Sequence, residues 1–155
     1  MPKSQHACQD QTPTAPAYDD DFVLWLDAQV EFLCAGSYEL LDKENLLDEL
    51  SAMTRRERRS LHSRLEKIIM HMLKIDFQPV RRTRSWSATV REQRRKIALI
   101  LADSPCLRRE LQSMIERVYP DAVYEAVKQT GLPASTFPAA CPYATQQILQ
   151  GEAWA

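Results

Sequence analysis

The stretch LHSRLEKIIMHMLKIDF, Leu61–Phe77, decides the fold of this chain. Its apolar residues recur three or four positions apart, which is the period of one face of an α-helix. The pattern extends back towards Asp42, and no glycine or proline interrupts the chain between Asp42 and Phe77. Pro79 disfavours helical geometry at Gln78 and so marks the end. The sequence therefore predicts one long helix over residues 42–77, with a polar middle.

Glycines are few, and their positions indicate helix ends. The 155 residues contain three glycines, Gly36, Gly131 and Gly151. Each follows an amphipathic run, where a helix commonly ends in a left-handed residue. Almost nothing in the sequence marks a β-hairpin. We therefore predict an all-α chain.

The first helix is predicted from its caps and its apolar spacing. Asp19 and Asp20 can cap its free N–H groups, and Gly36 ends it. An apolar face at helical spacing predicts an amphipathic helix. That face consists of Phe22, Leu26, Gln29 or Val30, and Leu33, widened by Trp25 and Phe32.

Capping residues also predict the later helices. Ser85 suits the N-cap of a third helix, and Ser104 followed by Pro105 suits the start of a fourth. Pro120 is expected to break or kink that fourth helix. A proline-rich stretch then leads to a short last helix from Pro142. The predicted architecture is a bundle of about four to five helices with a proline-rich C-terminal segment and a short last helix.

The length of the chain suits one domain with a substantial core. Residues 1–17 are polar, contain proline and lack an apolar period. We predict that residues 1–17 form a disordered tail and that residues 18–155 form a single helical domain.

Charges are segregated along the chain. Residues 18–50 contain ten acids and one base, whereas residues 51–96 contain fourteen bases and four acids. Faces of opposite charge can meet in an antiparallel bundle, and arginine suits bidentate pairing with carboxylates. We therefore predict an internal ion-pair network that fixes helix register. Its residues are Glu44, Asp48 and Glu49 of the acidic segment 42–49, with Arg84, Arg91, Arg94 and Arg95 on the basic side.

A phosphate-binding surface is the alternative for the basic stretch from Arg81 to Lys96. Arginines beside an aromatic residue can track a nucleic-acid backbone and stack a base. Arg81, Arg82 and Arg84 precede Trp86 in this way, although core packing also explains the apolar stripe to which Trp86 belongs. The net charge of −1 and the pI of about 6.3 argue against a dedicated nucleic-acid domain.

Signatures of catalysis and of cofactor binding are absent from the sequence. It contains no GxSxG, P-loop, GxGxxG, HExxH or Glu-x-x-His pattern. No catalytic, cofactor-binding or metal-ligating residue is therefore predicted, and no cofactor. His71 is interpreted as a hydrogen-bonded interior histidine rather than as a ligand.

The four cysteines stand far apart, so no CxxC motif exists. Cys34 and Cys106 are interpreted as small core residues. Cys141 precedes Pro142 at a predicted helix start, and burial is favoured there over a lowered thiol pKa. The sequence shows no signal peptide and no apolar run of about 18 residues. It therefore predicts a cytoplasmic protein with reduced thiols and no membrane association.

Five strings occur in one order along the chain: YDDDFVLWLDAQ, ENLLDEL, RSWSATVREQRRKI, DSPCLRREL and TGLPASTFPAACPYATQQIL. Together they resemble the bacterial family called domain of unknown function twenty-nine. The resemblance covers Tyr18–Gly151. It implies a small all-helical fold, and it implies no established activity, cofactor or catalytic residue.

The function hypothesis is a non-catalytic cytoplasmic interaction module, whose partner is an unidentified protein or a second copy of the chain. The hypothesis rests on abundant helical faces in a sequence without a catalytic signature. A nucleic-acid-binding regulatory protein that uses the Arg81–Lys96 stretch is the alternative, and an enzyme with a novel site is third.

Overall fold

The computed structural model describes residues 16–151. Within this part of the chain the regular structure is helical and no strand occurs, which confirms the all-α prediction. A short 3₁₀ turn lies between each pair of successive helices. Of the predicted tail, residues 1–15 lie outside the described part, together with His6 and Cys8. The five helices are α1 Phe22–Ala35, α2 Lys43–Phe77, α3 Arg84–Asp103, α4 Leu111–Thr130 and α5 Thr145–Gln150.

The chain divides into two compact units at Ala52. Unit 1 is Met1–Ala52 and unit 2 is Met53–Ala155. The structure describes residues 16–52 of unit 1 and residues 53–151 of unit 2. The single helical domain predicted for residues 18–155 stays a prediction.

Helix α2 is one continuous helix, as the absence of glycine and proline between Asp42 and Phe77 predicts. Asp42 caps its N-terminus, because its Oδ1 atom accepts a hydrogen bond of 3.2 Å from the backbone N–H of Asn45. The helix ends at Phe77, next to the residue whose helical geometry Pro79 disfavours.

Unit 2 has an apolar core that is built on the second half of α2. Leu61, Leu65 and Ile69 have no exposed surface, and burying each such side chain contributes about 1.5–3 kcal/mol. Other helices add to this core with Val90, Ile97 and Leu101 of α3, Leu111, Ile115, Val118 and Ala122 of α4, and Ile148 of α5.

Aromatic side chains hold the proline-rich segment after α4 against the helices of unit 2. The Tyr119 hydroxyl donates a 2.7 Å hydrogen bond to the carbonyl of Pro138. The ring of Phe137 packs edge-on against Phe77, with centroids 5.3 Å apart. The Tyr143 hydroxyl donates a 2.7 Å hydrogen bond to Asp76 of α2, and burial together with that carboxylate raises the pKa of Tyr143.

Several predicted helix boundaries are wrong by a few residues. Asp21 caps α1 through a 3.0 Å bond from the N–H of Leu24, in place of Asp19 and Asp20. Thr83, rather than Ser85, is the N-cap of α3. A 3₁₀ turn follows Ser104 and delays the start of α4, and the last helix begins three residues after Pro142.

Pro120 lies inside α4 and does not end it. Buried residues stand on both sides of it, with Ile115 and Val118 before and Ala122 and Ala126 after. Tertiary packing of these residues holds the helix through the proline and overrides the local preference.

Candidate interaction surfaces

Unit 1 is organised around Trp25. The side chain is 1% exposed, and its Nε1–H donates a 3.1 Å hydrogen bond to Oδ2 of Asp42. The Gln29 side chain accepts a 2.8 Å bond from the backbone N–H of Asp42. Hydrogen bonds from Asn45, then from Trp25, lower the pKa of Asp42. One carboxylate thus joins α1 to the start of α2.

The aromatic ring of Trp25 belongs to a cluster of three mutually contacting rings. Tyr18 contacts it edge-on with centroids 4.9 Å apart, and Phe22 stacks on it at 5.8 Å. Such aromatic pairs add about 0.5–1.5 kcal/mol beyond the area that they bury. Trp25 and Gln29 are the buried residues of α1.

The structure therefore buries only one side of the predicted apolar face of α1 and leaves the other side exposed. Trp25 and Gln29 lie inside, while the stripe at spacings of three and four is open to solvent. Its members are between 38% and 64% exposed. This exposed stripe consists of Phe22, Val23, Leu26, Val30 and Leu33.

The acidic residues predicted to pair with arginine lie in unit 1. Glu44 and Asp48 are exposed. Glu49 is half-buried and accepts a 2.6 Å hydrogen bond from the hydroxyl of Tyr18. That bond is the main reason why the pKa of Tyr18 is raised.

Arg94 has a structural role within unit 2. Its guanidinium donates to the carbonyls of Ile148 at 2.9 Å and Gln147 at 2.8 Å, and also to that of Gly151. These carbonyls lie at the C-terminal end of α5, where helical carbonyls lack the N–H partners of a further turn. The Gln147 carbonyl also accepts a 3.0 Å hydrogen bond from the backbone N–H of Gly151. A Cβ at Gly151 would lie 2.6 Å from the Gln147 oxygen and 3.0 Å from Nη2 of Arg94, so glycine permits this close approach.

The other predicted arginines differ in their surroundings. Arg95 pairs with Glu92 on its own helix, with Nε 3.0 Å from Oε2. Arg81, Arg84 and Arg91 are exposed, and their side chains have no hydrogen-bond or ion-pair partner within residues 16–151. Arg82 is half-buried. The contacts described for Arg94 and Arg95 lie in their own unit, and the pairing of the acidic segment with these arginines stays a prediction.

Glu92 is held ionised by its neighbours. Hydrogen bonds from Arg95 and then Lys96 lower its pKa to about 2. The pKa of Glu92 is lower in the folded than in the unfolded state. Its interactions with Arg95 and Lys96 therefore stabilise the fold above about pH 4.5, and this stabilisation is lost as the pH falls towards 2.

His71 is an interior residue of α2, as interpreted from the sequence, and is 9% exposed. Its Nδ1 atom is buried and has no hydrogen-bond partner among the described residues, so the predicted hydrogen bond is absent at that atom. Burial, and then the charges of Lys74 and Lys67, lower the pKa of His71 to about 4. Lys74 itself lies 4.2 Å over the ring of Trp86 and donates to Gln129 at 2.7 Å.

We expect the chain to lose stability as the pH falls from about 6.5 to about 4. In this window unfolded His71 binds a proton, whereas folded His71 does not, so acid favours the unfolded state. Above about pH 6.5 His71 is neutral in both the folded and the unfolded state, so its contribution to stability is fully present there. Near pH 5 the native chain should take up about one more proton on unfolding than a His71→Leu variant does. Urea unfolding across this pH range measures the two slopes, and equal slopes would contradict the prediction.

The cysteines differ from their sequence interpretation. Cys34 and Cys106 are exposed, so their prediction as core residues is wrong, because the helix faces that carry them are not covered. Cys141 is half-buried, and burial raises the pKa of its thiol. A nucleophilic thiolate is disfavoured at that position.

Residues 16–151 show neither a cluster of metal-ligating side chains nor a membrane-spanning helix. They contain no group of three or more His, Cys, Asp or Glu side chains that could hold a metal ion. None of the helices in this part of the chain is sufficiently long and apolar to cross a membrane.

A helical protein with two compact units, one smaller than the other, is the class that these features define. The sequence profile of the family described as Domain of unknown function DUF29 matches residues 17–154, and the chain belongs to this family. The match confirms the resemblance found in the sequence. No curated protein and no solved structure matches the chain.

Proposed function

We propose that this chain is a protein-interaction module and that α1 of unit 1 binds a basic, amphipathic helix of a partner protein. The observation that carries the proposal is the exposed apolar stripe of α1. A soluble surface rarely leaves a contiguous row of large apolar residues open unless another molecule covers it. The row has the helical spacing that a helical partner matches.

The charge of unit 1 supports a basic partner. Residues 18–50 carry ten acids and one base, and Asp27 and Glu31 are exposed on the same helix as the apolar stripe. Lysine and arginine of a partner helix would meet these carboxylates at the rim, where complementary charge speeds association and selects the partner. The apolar stripe would supply the buried centre of the interface.

The test uses a synthetic helical peptide of about 20 residues with leucines at i, i+3, i+4 and i+7 and lysines elsewhere. Anisotropy of the labelled peptide measures its binding to the whole chain. The double variant Leu26→Gln and Val30→Gln should weaken binding at least about tenfold, because it removes the apolar centre of the interface. Both positions are exposed, so the fold should be retained.

The matched control is Val80→Gln, since Val80 is 97% exposed and lies in unit 2. This variant should bind the peptide as the native chain does. Equal binding of a scrambled peptide, or an equal loss in the Val80 variant, would refute the proposal. If the chain instead dimerises in sedimentation experiments, and the double variant abolishes the dimer, a second copy is the occupant and the basic partner is refuted.

Nucleic-acid binding is the second candidate function. The observation in its favour is that Arg81, Arg84 and Arg91 are exposed without a side-chain partner within residues 16–151. Free guanidinium groups can bind backbone phosphates.

A further inference from the structure

A polar pocket lies between α2 and α3, separate from the α1 surface. It has a volume of about 260 Å³. Its lining contains three cationic side chains, two hydroxyls and one amide, and no carboxylate. The lining residues are Ser60, Ser63, Arg64, Lys67, Gln93 and Lys96.

The helical period explains why these side chains converge. Ser60, Ser63, Arg64 and Lys67 follow the spacing i, i+3, i+4 and i+7, so they share one face of α2. Gln93 and Lys96 are three residues apart on α3. The Nη1–H of Arg64 donates to the side-chain oxygen of Gln93 at 3.3 Å, which joins the two helices at the pocket.

Arg64 has a donor that the protein does not satisfy. Its Nε atom is buried and has no hydrogen-bond partner among residues 16–151. An unpaired buried donor is unfavourable, because its lost hydrogen bonds to water are not replaced. Gln93 is 6% exposed and its oxygen is already used by Arg64, which leaves its amide N–H₂ group as a donor.

The two lysines complete a positive lining. Lys67 is exposed and has no ion-pair partner within the described residues. Lys96 is held by Glu92, with Nζ 3.1 Å from Oε1. Glu92 also binds Arg95, so this carboxylate is shared between two cations and the three cationic side chains of the lining keep an excess of positive charge.

We propose that this pocket binds the phosphoryl group of a small phosphate monoester. A phosphate dianion has three terminal oxygens and accepts hydrogen bonds from several directions, which matches guanidinium, ammonium, hydroxyl and amide donors supplied by two helices. A planar carboxylate would leave several of these donors unused. The volume lies at the small end of ligand pockets and leaves room for a few atoms of the esterified group.

Calorimetric titration of the whole chain with glycerol 3-phosphate, and separately with inorganic phosphate, tests the proposal. Both probes should bind at a single saturable site. Lys67→Ala should weaken binding of both about tenfold, the loss expected for one charge-assisted hydrogen bond. Lys67 is exposed, and circular dichroism should show an unchanged fold.

The matched control is Arg55→Ala, which removes one exposed positive charge from another face of the same helix. Its effect should stay below about twofold, because exposed charges at a distance are screened by salt. Tighter binding of the ester than of inorganic phosphate assigns the site to an esterified ligand, and the reverse order assigns it to the free ion and refutes the monoester.

Three results would overturn the proposal. The first is the absence of saturable binding for both probes. The second is an equal loss in the Lys67 and Arg55 variants, which would indicate a diffuse response to charge. The third is duplex DNA that binds and is weakened by Lys67→Ala while neither small probe competes, which would make this face a nucleic-acid surface.

Discussion

Replacing Trp25 with alanine should unfold unit 1 and leave unit 2 folded. In the described part of α1, Trp25 and Gln29 are the buried side chains, so no other core residue of this helix can compensate. The substitution removes the ring contacts with Tyr18 and Phe22 and the hydrogen bond to Asp42. A buried tryptophan replaced by alanine costs about 3–5 kcal/mol, which is comparable to the whole stability of a small unit.

Hydrogen exchange measures this effect locally. Amides of α1 should lose their protection in the Trp25→Ala variant, whereas amides of α2 near Leu65 and Ile69 should keep it. The matched control is Val23→Ala, because Val23 is 64% exposed on the same helix; it should change stability by no more than about 0.5 kcal/mol. Retained protection of α1 in the Trp25 variant would show that contacts other than Trp25 hold the helix.

This result would also separate two roles within α1. Trp25 holds the helix through buried contacts, whereas Leu26 and Val30 face solvent and hold little of the fold. Glutamine at Leu26 and Val30 should therefore affect binding alone. Alanine at Trp25 should abolish both the local fold and the binding that depends on it.

Most of the helical architecture could be predicted from local patterns. The absence of glycine and proline over 35 residues predicts α2 as one helix, even though a polar middle interrupts its apolar stripe. Gly36 and Gly131 adopt φ of 73°, the left-handed geometry expected where a helix stops. The same prediction is wrong for Gly151, which follows α5 with a φ of −53°. These features depend on residues that are close together in the sequence, so a single sequence is enough to predict them.

The buried face of α1 could not be predicted in the same way. Periodicity identifies an amphipathic helix, but it does not say which of two partly apolar faces another segment will cover. Asp42 lies seventeen residues after Trp25 and accepts a hydrogen bond from its side chain, and this contact determines which face is buried. A contact of this kind has no local signature in a single sequence.

The polar pocket between α2 and α3 illustrates the same limit. The spacing of Ser60, Ser63, Arg64 and Lys67 could be recognised as one polar face of α2, yet such a face is usually solvated. Only the register of α3 against α2 brings Gln93 to Arg64. That register depends on core packing across the two helices.

Arg94→Ala should lower the free energy of unfolding by about 2–4 kcal/mol, because it removes charged hydrogen bonds to the carbonyls that end α5. Arg94→Lys should recover only part of the loss, since one ammonium cannot reproduce the planar fork of donors. The matched control is Arg91→Ala, one turn earlier on α3 and exposed. Its effect should not exceed about 0.5 kcal/mol. Urea unfolding measures the stability of all three variants.

The same variants decide how the arginine stretch is used. If Arg91 binds backbone phosphates, Arg91→Ala should weaken duplex DNA binding and reduce the slope of affinity against salt by about one. If the interaction-module proposal is correct, DNA should bind no tighter than the roughly 10⁻⁴–10⁻⁶ M of non-specific contacts, with little difference between the native chain and the Arg91 variant.

A large loss of stability in the Arg94→Ala variant would show that this residue holds α5 whichever partner the chain has. Sub-micromolar, salt-sensitive DNA binding that Arg91→Ala weakens would replace the interaction module with a nucleic-acid-binding protein. An Arg94 variant as stable as the native chain would show instead that its carbonyl contacts contribute nothing net, which would return Arg94 to the set of arginines available to a polyanion.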